Sequence, residues 1–454
     1  MDRLRNRLQA GLVLLAAFGL AHSGPAIAED DVAPPAAVNP ETQAWNFHGQ
    51  GTVVVQGNAP FRSPYEGDNS LRSRGETKET VSATGALGLR LWSGGELYID
   101  AEAFQGFGLA RTHGLGGYSN GEAQKGGSLI PQYYIPRYFY RHTFGLGGET
   151  EKVADDFNQL AGTRDVSRLT LTAGRFAVND LFDQNKFAHD PREQFLNYSI
   201  WAAGAFDYAV DQKGYGAGAA LELNQKTWAF RSGYFLLPIH SNAQHLGWNL
   251  GQKAQLVNEL ELRYQLFSQP GILRTLGWAS RANAGSYGEA LGDPNFDADQ
   301  SIVDTRRVRT QYGYGVNLEQ AITKDLGLFA RWSWRDGRSE VISWTDIDNS
   351  LSGGLSLKGT AWQRPKDTVG LGAALNGLSA EHRAYGAAGG NSVLIGDGQL
   401  NYSRERILET YYSADLGFGH HSALTFDYQY ITNPAYNADR GPVSIFAVRL
   451  HSEF

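Results

Sequence analysis

Between Asn179 and Asn197 the chain reads Asn-Asp-Leu-Phe-Asp-Gln-Asn-Lys-Phe-Ala-His-Asp-Pro-Arg-Glu-Gln-Phe-Leu-Asn, and it runs on to Trp201 and Phe206-Asp207-Tyr208. Indole and phenol faces suit the C–H surfaces of a sugar ring, and planar carboxylate, amide and guanidinium groups suit its hydroxyls. Asp190, Arg192, Asn197, Trp201 and Tyr208 are therefore candidate contacts. A connection this long and this rich in rings and charge is expected to fold against something rather than wave in solvent. The same rings could simply pack the segment to a wall, and from sequence both readings stand.

Catalytic chemistry has less to build on. The one G-x-S-x-G match, Gly117-Tyr-Ser-Asn-Gly121, lies in a Gly-rich stretch, not at the strand-to-helix turn that a nucleophile elbow requires. His420-His421 has no carboxylate at metal-like spacing, and His189 and His240 stand alone. The run Asp293-Pro-Asn-Phe-Asp-Ala-Asp299 offers oxygens for Ca²⁺ but lacks the spacing of an EF-hand, so whether a loop calcium site exists stays open. With no Cys in the chain, disulfides and thiolate-held metals are excluded. No reaction, resident metal or cofactor is expected.

The elements that must position these groups are strands. Counting back from the terminus, Phe454, Ser452, Leu450, Val448 and Phe446 form one face, while Glu453, His451, Arg449, Ala447 and Ile445 form the other. That period of two describes a strand between two different solvents. The pattern recurs. Val81, Ala83, Leu87, Leu89 and Leu91 oppose Arg90; Leu97, Ile99, Ala101 and Ala103 oppose Tyr98, Asp100 and Glu102. Leu256, Leu260, Leu262 and Tyr264 oppose Glu259, Glu261 and Arg263; Leu328, Trp332 and Trp334 oppose Arg331 and Arg335. A soluble β-sandwich also alternates, but placing Leu, Trp or Tyr on the solvent face of nearly every strand would leave a large apolar surface exposed. A transmembrane barrel requires it, with lipid outside and water within.

Connection lengths add a second signal. Short turns at Ser93–Gly95, 224–226, 268–271, 323–324 and 419–420 alternate with long connections near 58–77, 106–132, 177–213, 238–254, 288–306, 338–351, 377–404 and 433–441. Short periplasmic turns and long outer loops are the barrel pattern. The exception is 147–166, a longer inner connection with an expected helical turn at Glu151–Leu160. The fold class is thus all-β: an antiparallel transmembrane β-barrel of about sixteen strands with an inward-folded constriction loop. Paired rings at Trp332/Trp334, Tyr411/Tyr412 and Tyr428/Tyr430 suit an aromatic girdle. Parity points Arg90, Arg231, Arg281, Arg331, Asp100 and Glu102 into the lumen, where near-balanced charge suits a polar, uncharged solute. The competing role for each is pairing across strands to hold the wall together.

The first 28 residues are expected to be a cleaved signal peptide: Arg3, Arg5 and Arg7, then the apolar run Gly11–Ala21, then Ala26-Ile27-Ala28. That apolar run is too short to span a bilayer. Residues 29–43 read as a flexible acidic, Pro-rich lead-in, and 44–454 as the barrel. The chain carries −7; the leader holds three Arg and Asp2, so removing its net +2 leaves −9, which argues against nucleic-acid binding. Expected partners are outer-membrane lipid and the barrel-assembly machinery, reached through the terminal Phe454. Oligomeric state is open.

Several stretches together resemble the carbohydrate-selective porin family (OprB-like porins): Phe182-Asp-Gln-Asn-Lys-Phe-Ala-His-Asp-Pro-Arg-Glu-Gln-Phe-Leu-Asn197, Gly233-Tyr-Phe-Leu-Leu-Pro238, Gly327-Leu-Phe-Ala-Arg-Trp-Ser-Trp-Arg-Asp-Gly337, Asp367-Thr-Val-Gly-Leu-Gly372, Glu405-Arg-Ile-Leu-Glu-Thr-Tyr-Tyr412 and Asn433–Phe446. The resemblance implies a sixteen-stranded outer-membrane channel of a Gram-negative bacterium. It would pass glucose and related monosaccharides by facilitated diffusion, through a constriction with arginine-rich walls. Arg90, Arg192, Arg231 and Arg331 are selected as constriction arginines by lumen parity or loop position, with Asp100 and Glu102 beside them. The alternatives are a general diffusion pore for small hydrophilic solutes, an outer-membrane enzyme, and a receptor working through its outer loops.

Overall fold

A computed structural model describes residues 42–125, 127–343 and 345–454. The expected leader and all but the last two residues of the lead-in lie outside the described residues. The strands are β1 (Trp45–Asn58), β2 (Glu76–Trp92), β3 (Gly95–Gly106), β4 (Ser128–Gly145), β5 (Thr150–Val153), β6 (Gly162–Asp165), β7 (Arg168–Phe176), β8 (Gly216–Asn224), β9 (Trp228–Leu236), β10 (Ala254–Leu266), β11 (Gln269–Ala284), β12 (Arg307–Ala321), β13 (Leu326–Arg335), β14 (Asn349–Gly359), β15 (Arg364–Gly377), β16 (Glu405–Asp415), β17 (His421–Thr432) and β18 (Val443–Glu453). Short helices α1 (Tyr198–Trp201), α2 (Tyr287–Leu291), α3 (Gln300–Asp304) and α4 (Ala380–Ala387) lie in the long connections.

Sixteen of the strands close into one antiparallel barrel; β5 and β6 form a separate hairpin. Neighbours in sequence are neighbours in space, except that β4 pairs directly with β7 across that hairpin. Closure comes from β1 against β18, in register from Gln50↔Glu453 to Asn58↔Ile445. The terminal Phe454 lies on Gly49, where a Cβ would meet its ring at 2.3 Å, so the residue at 49 has to be small. No described helix is long and apolar enough to cross a membrane.

Alternation sorts the side chains as the sequence implies. Leu256, Leu260, Leu262, Tyr314, Trp332, Phe426, Phe446 and Val448 stand on the outer surface, while Glu259, Glu261, Arg331, Arg335 and Arg449 are enclosed. Tyr312, Tyr314 and Trp334 cluster with ring centroids 5.2–6.0 Å apart, as a girdle would.

Three local expectations are corrected. Residues 151–160 form no helical turn: Glu151 lies in a hairpin that begins at Thr150 and pairs Thr150↔Asp165 through Val153↔Gly162. Arg281 points outward, opposite Thr310, because the inner face of β11 is apolar at Leu276 and Trp278, where it packs the inward loop. Tyr411 is buried on the lumen side against Phe195 (5.0 Å), so it leaves the girdle.

Candidate functional site

The third outer connection, residues 177–215, does not stay outside. Phe195, Leu196, Tyr198, Ile200 and Trp201 are all at most 1% exposed, because the loop folds into the lumen and brings its own apolar core. Phe195 packs between Tyr411 (5.0 Å) and Phe329 (5.3 Å), and Phe206 meets Trp278 at 4.8 Å. A loop this deep must satisfy its backbone polar groups without water. The wall supplies the partners. Glu409 of β16 accepts from the Asn197 amide (3.0 Å), Glu259 of β10 from Asp183 (2.8 Å), Glu319 of β12 from Lys186 (2.8 Å) and Ser333 of β13 from Ala205 (2.9 Å). Arg449 of β18 donates to the carbonyls of Pro191 (2.7 Å) and Gln194 (2.8 Å).

Four of the expected contacts turn out to build this loop. The Asn197 side chain accepts from Ser199 N to start α1 and donates to the Gly117 carbonyl (2.9 Å). Trp201 stands edge-on to Tyr198 at 5.2 Å, and Tyr208 packs on Phe206 at 5.5 Å. Arg331 bonds Asp183 (3.0 Å) and the carbonyls of Ile200 (3.0 Å) and Ala188 (2.7 Å). These four side chains are sealed from the lumen water, so a solute does not reach them in this conformation.

The second outer connection also turns inward over residues 109–125, and with the third it packs a largely buried charged cluster against β2, β3 and β4, in which Arg192 reaches the cavity and frames the aperture. Glu102 accepts from Thr84 (2.9 Å), Lys125 (3.3 Å), Arg192 (3.2 Å) and the Tyr134 hydroxyl. Arg192 reaches Glu122 at 3.0 Å as well. Burial pushes the Glu122 carboxyl up, but Arg192 and Lys125 outweigh it and hold the group at about 2. Beside them Arg137 forks onto Asp180 (2.8 and 2.6 Å), and its guanidinium lies over the Tyr215 ring at 5.2 Å. The Lys213 ammonium lies over Tyr134 at 4.6 Å. Asp190 folds back onto the Arg192 amide (2.7 Å).

Beneath the loop is a cavity of about 750 Å³ whose lining includes Arg137, Asp180, Asp190, Arg192, Arg231 and Asn158. Arg231 is held by Glu222 (2.6 Å), Glu259 (2.8 Å) and Glu261 (3.0 Å). Asp100 lies behind this wall, bonded to Asn158 (3.1 Å) and 3.5 Å from Arg137. Arg90 sits at the inner rim, bonding the carbonyls of Gln43 (2.8 Å) and Ala161 (3.2 Å) and pairing with Glu96 (3.0 Å). Of the expected ten, then, Asp190, Arg192 and Arg231 face the cavity, Glu102 anchors its upper rim, and the rest hold structure around it.

Arg137, Asp180 and Lys125 went unnoticed in the sequence. Arg137 was hidden by a register shift: Asp100 pairs with Arg137 and Glu102 with Tyr134, so β4 spends one more residue than β3 at Ile135-Pro136 and its parity flips. The prolines at 131 and 136 were the available signal.

The other chemical candidates are accounted for by local bonding. Ser119 of the G-x-S-x-G match donates to Gln56 Oε1 (2.8 Å). Asp293 accepts from Asn295 N (2.9 Å) and Ser301 Oγ (2.7 Å), and Asp297 from Asp299 N (3.0 Å) and Gln300 N (2.8 Å), all within their own loop. Among the described residues, Glu193, His451 and Glu453 bring potential metal-ligand atoms within 4.8 Å of one another. A Ser–His–Asp series also occurs in the outer loops: Ser392 Oγ lies 2.8 Å from His382 Nε2, and His382 Nδ1 lies 3.0 Å from Asp348. Its histidine is 1% exposed and stacked under Tyr287 at 4.3 Å.

Comparison with known proteins places this geometry. The profile of the carbohydrate-selective porin, OprB family, matches residues 68–454. Porin AaxA of Chlamydia abortus is 23% identical over 338 residues, 71% of this chain and 65% of that protein. Porin AaxA of Chlamydia caviae is 20% identical over 341 residues, 71% of this chain and 64% of that protein. The chain thus spans a little under two thirds of these curated relatives. Among solved structures, OprB of Pseudomonas putida superposes with a TM-score of 0.65 at 16% identity, covering 90% of this chain and 94% of that one. That likeness is one of fold.

Proposed function

The chain belongs to the carbohydrate-selective porin (OprB) family, and on that premise we propose that it is an outer-membrane channel passing neutral sugars, glucose and related monosaccharides, by facilitated diffusion. The observation that carries the reading is the pairing of charge around the aperture and cavity. Arg137, Arg192, Arg231 and Lys125 each sit against at least one carboxylate. The passage is therefore dense in planar hydrogen-bonding groups while its local charge is largely cancelled. Such a wall can trade hydrogen bonds with a sugar's hydroxyls, and at these four positions it offers neither an anion nor a cation an uncompensated partner. No reaction and no bound cofactor enters; the solute's own gradient drives transport.

Single-channel current with glucose titrated into the bath tests this. Glucose is expected to interrupt the ion current in a saturable way, and liposomes carrying the protein are expected to admit glucose faster than amino acids of similar size. An ion current indifferent to glucose, with equal uptake of both solutes, would leave the general-diffusion reading in its place.

A further inference from the structure

The long inner connection between β4 and β7 breaks the barrel rule that periplasmic turns are short, and nothing in barrel closure requires it. The β4–β7 ladder already closes at its foot, where Leu146 N donates to the Ser167 carbonyl at 2.9 Å. The residues between these two do something else: they climb into the lumen. Asn158 Nδ2 reaches Asp100 Oδ2 at 3.1 Å, and Asp100 is five residues above the start of β3, about 17 Å along the strand. Leu160, 3% exposed, joins the lumen core, and its amide donates to the Tyr98 hydroxyl at 3.2 Å.

Two further strands, β1 and β4, hold this turn. Asn46 of β1 donates to Asp155 (2.7 Å) and to the Gln159 carbonyl (2.9 Å). Arg141 of β4 donates to the Asn158 carbonyl at 2.9 Å while its guanidinium lies over Tyr98 at 5.0 Å. His48 and Phe157 pack with rings 5.4 Å apart. Phe157, Asn158 and Gln159 then line the same cavity whose roof is Asp190 and Arg192 of the inward loop. Asn158 Oδ1 has no donor among the described residues.

We propose that the turn 147–166 is a second constriction of the pore, the floor of a bounded chamber in which a sugar pauses between the outer aperture and release into the periplasm. The chamber's volume of about 750 Å³ falls within the roughly 300–1,000 Å³ of ordinary small-molecule sites. Its floor presents the side chains of Phe157, Asn158 and Gln159, an aromatic ring and two amides suited to a polar solute, with Asn158 Oδ1 itself sealed beneath. The identity of the solute rests on the sugar reading above; the second constriction does not.

Two variants test it in the full barrel. In one, residues 147–166 are replaced by a Gly-Asn-Gly turn; in the other, Asn158→Ala, the fold is left alone. Heat-shifted gel migration checks that each barrel is closed. The shortened turn is expected to raise single-channel conductance about twofold or more and to admit larger polyethylene glycols. N158A removes the bond to Asp100 that holds the floor in place and is expected to weaken glucose block about fivefold, more strongly for glucose added on the periplasmic side. Unchanged conductance and polymer cut-off in a closed barrel with the shortened turn overturn the floor. A larger cut-off with no glucose block in either the parent or N158A keeps the floor and rejects the sugar. If the shortened barrel does not close, N158A decides: block equal to the parent's overturns the floor.

Discussion

Arg331 on β13 and Asp183 on the inward loop meet at 3.0 Å with their side chains 1% and 5% exposed. One comes from the wall and the other from the segment that narrows the channel, so this contact fixes the aperture's position. The guanidinium makes four bonds: besides Asp183 Oδ1 it donates to carbonyls at both ends of the Asp183–Ile200 stretch and to that of Ala188 between them. The width of the passage therefore depends on a side chain that the solute does not touch.

Replacing it should open or loosen the aperture without emptying it of charge. Arg331→Ala strands the Asp183 carboxylate in a dry site, at a cost of about 3–5 kcal/mol. The expected outcome is a closed barrel with a noisier and larger current, and proteolytic cleavage within 177–215 where the parent resists. Arg331→Lys should recover little of this, because an ammonium cannot serve the same fork of acceptors. A quiet, parent-like current in both variants would remove the anchoring role.

At the aperture, two cations and two anions are interlocked: Lys125 and Arg192 against Glu102 and Glu122. Glu102→Gln leaves that set with a net positive charge and should move the reversal potential in a salt gradient toward anions. Arg192→Gln should move it toward cations. Opposite signs from two neighbouring neutral substitutions are the check; shifts of the same sign would mean that the charges act elsewhere than on the ion path.

Glu193 lies beneath the loop, facing Asp190, Glu453, His451 and Arg449. Burial together with the carboxylates of Asp190 and Glu453 raises it to about 7. A raised carboxyl is neutral below that value and anionic above it. Raising the bath from about pH 6 to about pH 8 should therefore add negative charge to the chamber and increase its preference for cations. Glu193→Gln should flatten that dependence between the two pH values. A slope that survives the substitution would assign it to another group.

What the sequence disclosed and what it withheld follow from one physical difference. Alternation between lipid and water is local and repeats in every strand, so Leu256 against Glu259 or Trp332 against Arg331 could be sorted by period alone. The same rule predicts a polar inner face, and it fails where the lumen is filled by protein. Trp278 and Tyr411 point inward because loop residues Phe206 and Phe195 pack on them, contacts between residues far apart in sequence. For that reason Trp201 and Tyr208 looked like solute contacts, and Arg281 looked like a lumen charge. The alternation of loop lengths picked out 147–166 as unusual, but its ascent to Asp100 depends on Asn158, whose partner is 58 residues away.

The outer mouth offers a last test, one that separates a clamp from a catalyst. Asp348 accepts from Ser379 N (2.8 Å) and faces His382 Nδ1 (3.0 Å), and His382 passes the contact on to Ser392 at 2.8 Å. Burial pushes the Asp348 carboxyl up, yet His382 and Arg335 together hold it below its ordinary value, so it is an anion in its loop. Tyr287 stacks on the imidazole, so the series ties the connections 285–306, 336–348 and 378–404 together. A clamp predicts that His382→Ala and Ser392→Ala both speed amide exchange in 378–404, by about tenfold for a net loss of about 1.4 kcal/mol. It also predicts that a fluorophosphonate, which labels activated serines, leaves Ser392 unmodified, because the imidazole that would activate it is sealed. Labelling at Ser392 that disappears in His382→Ala, with loop exchange unchanged, would turn the clamp reading into an enzymatic one.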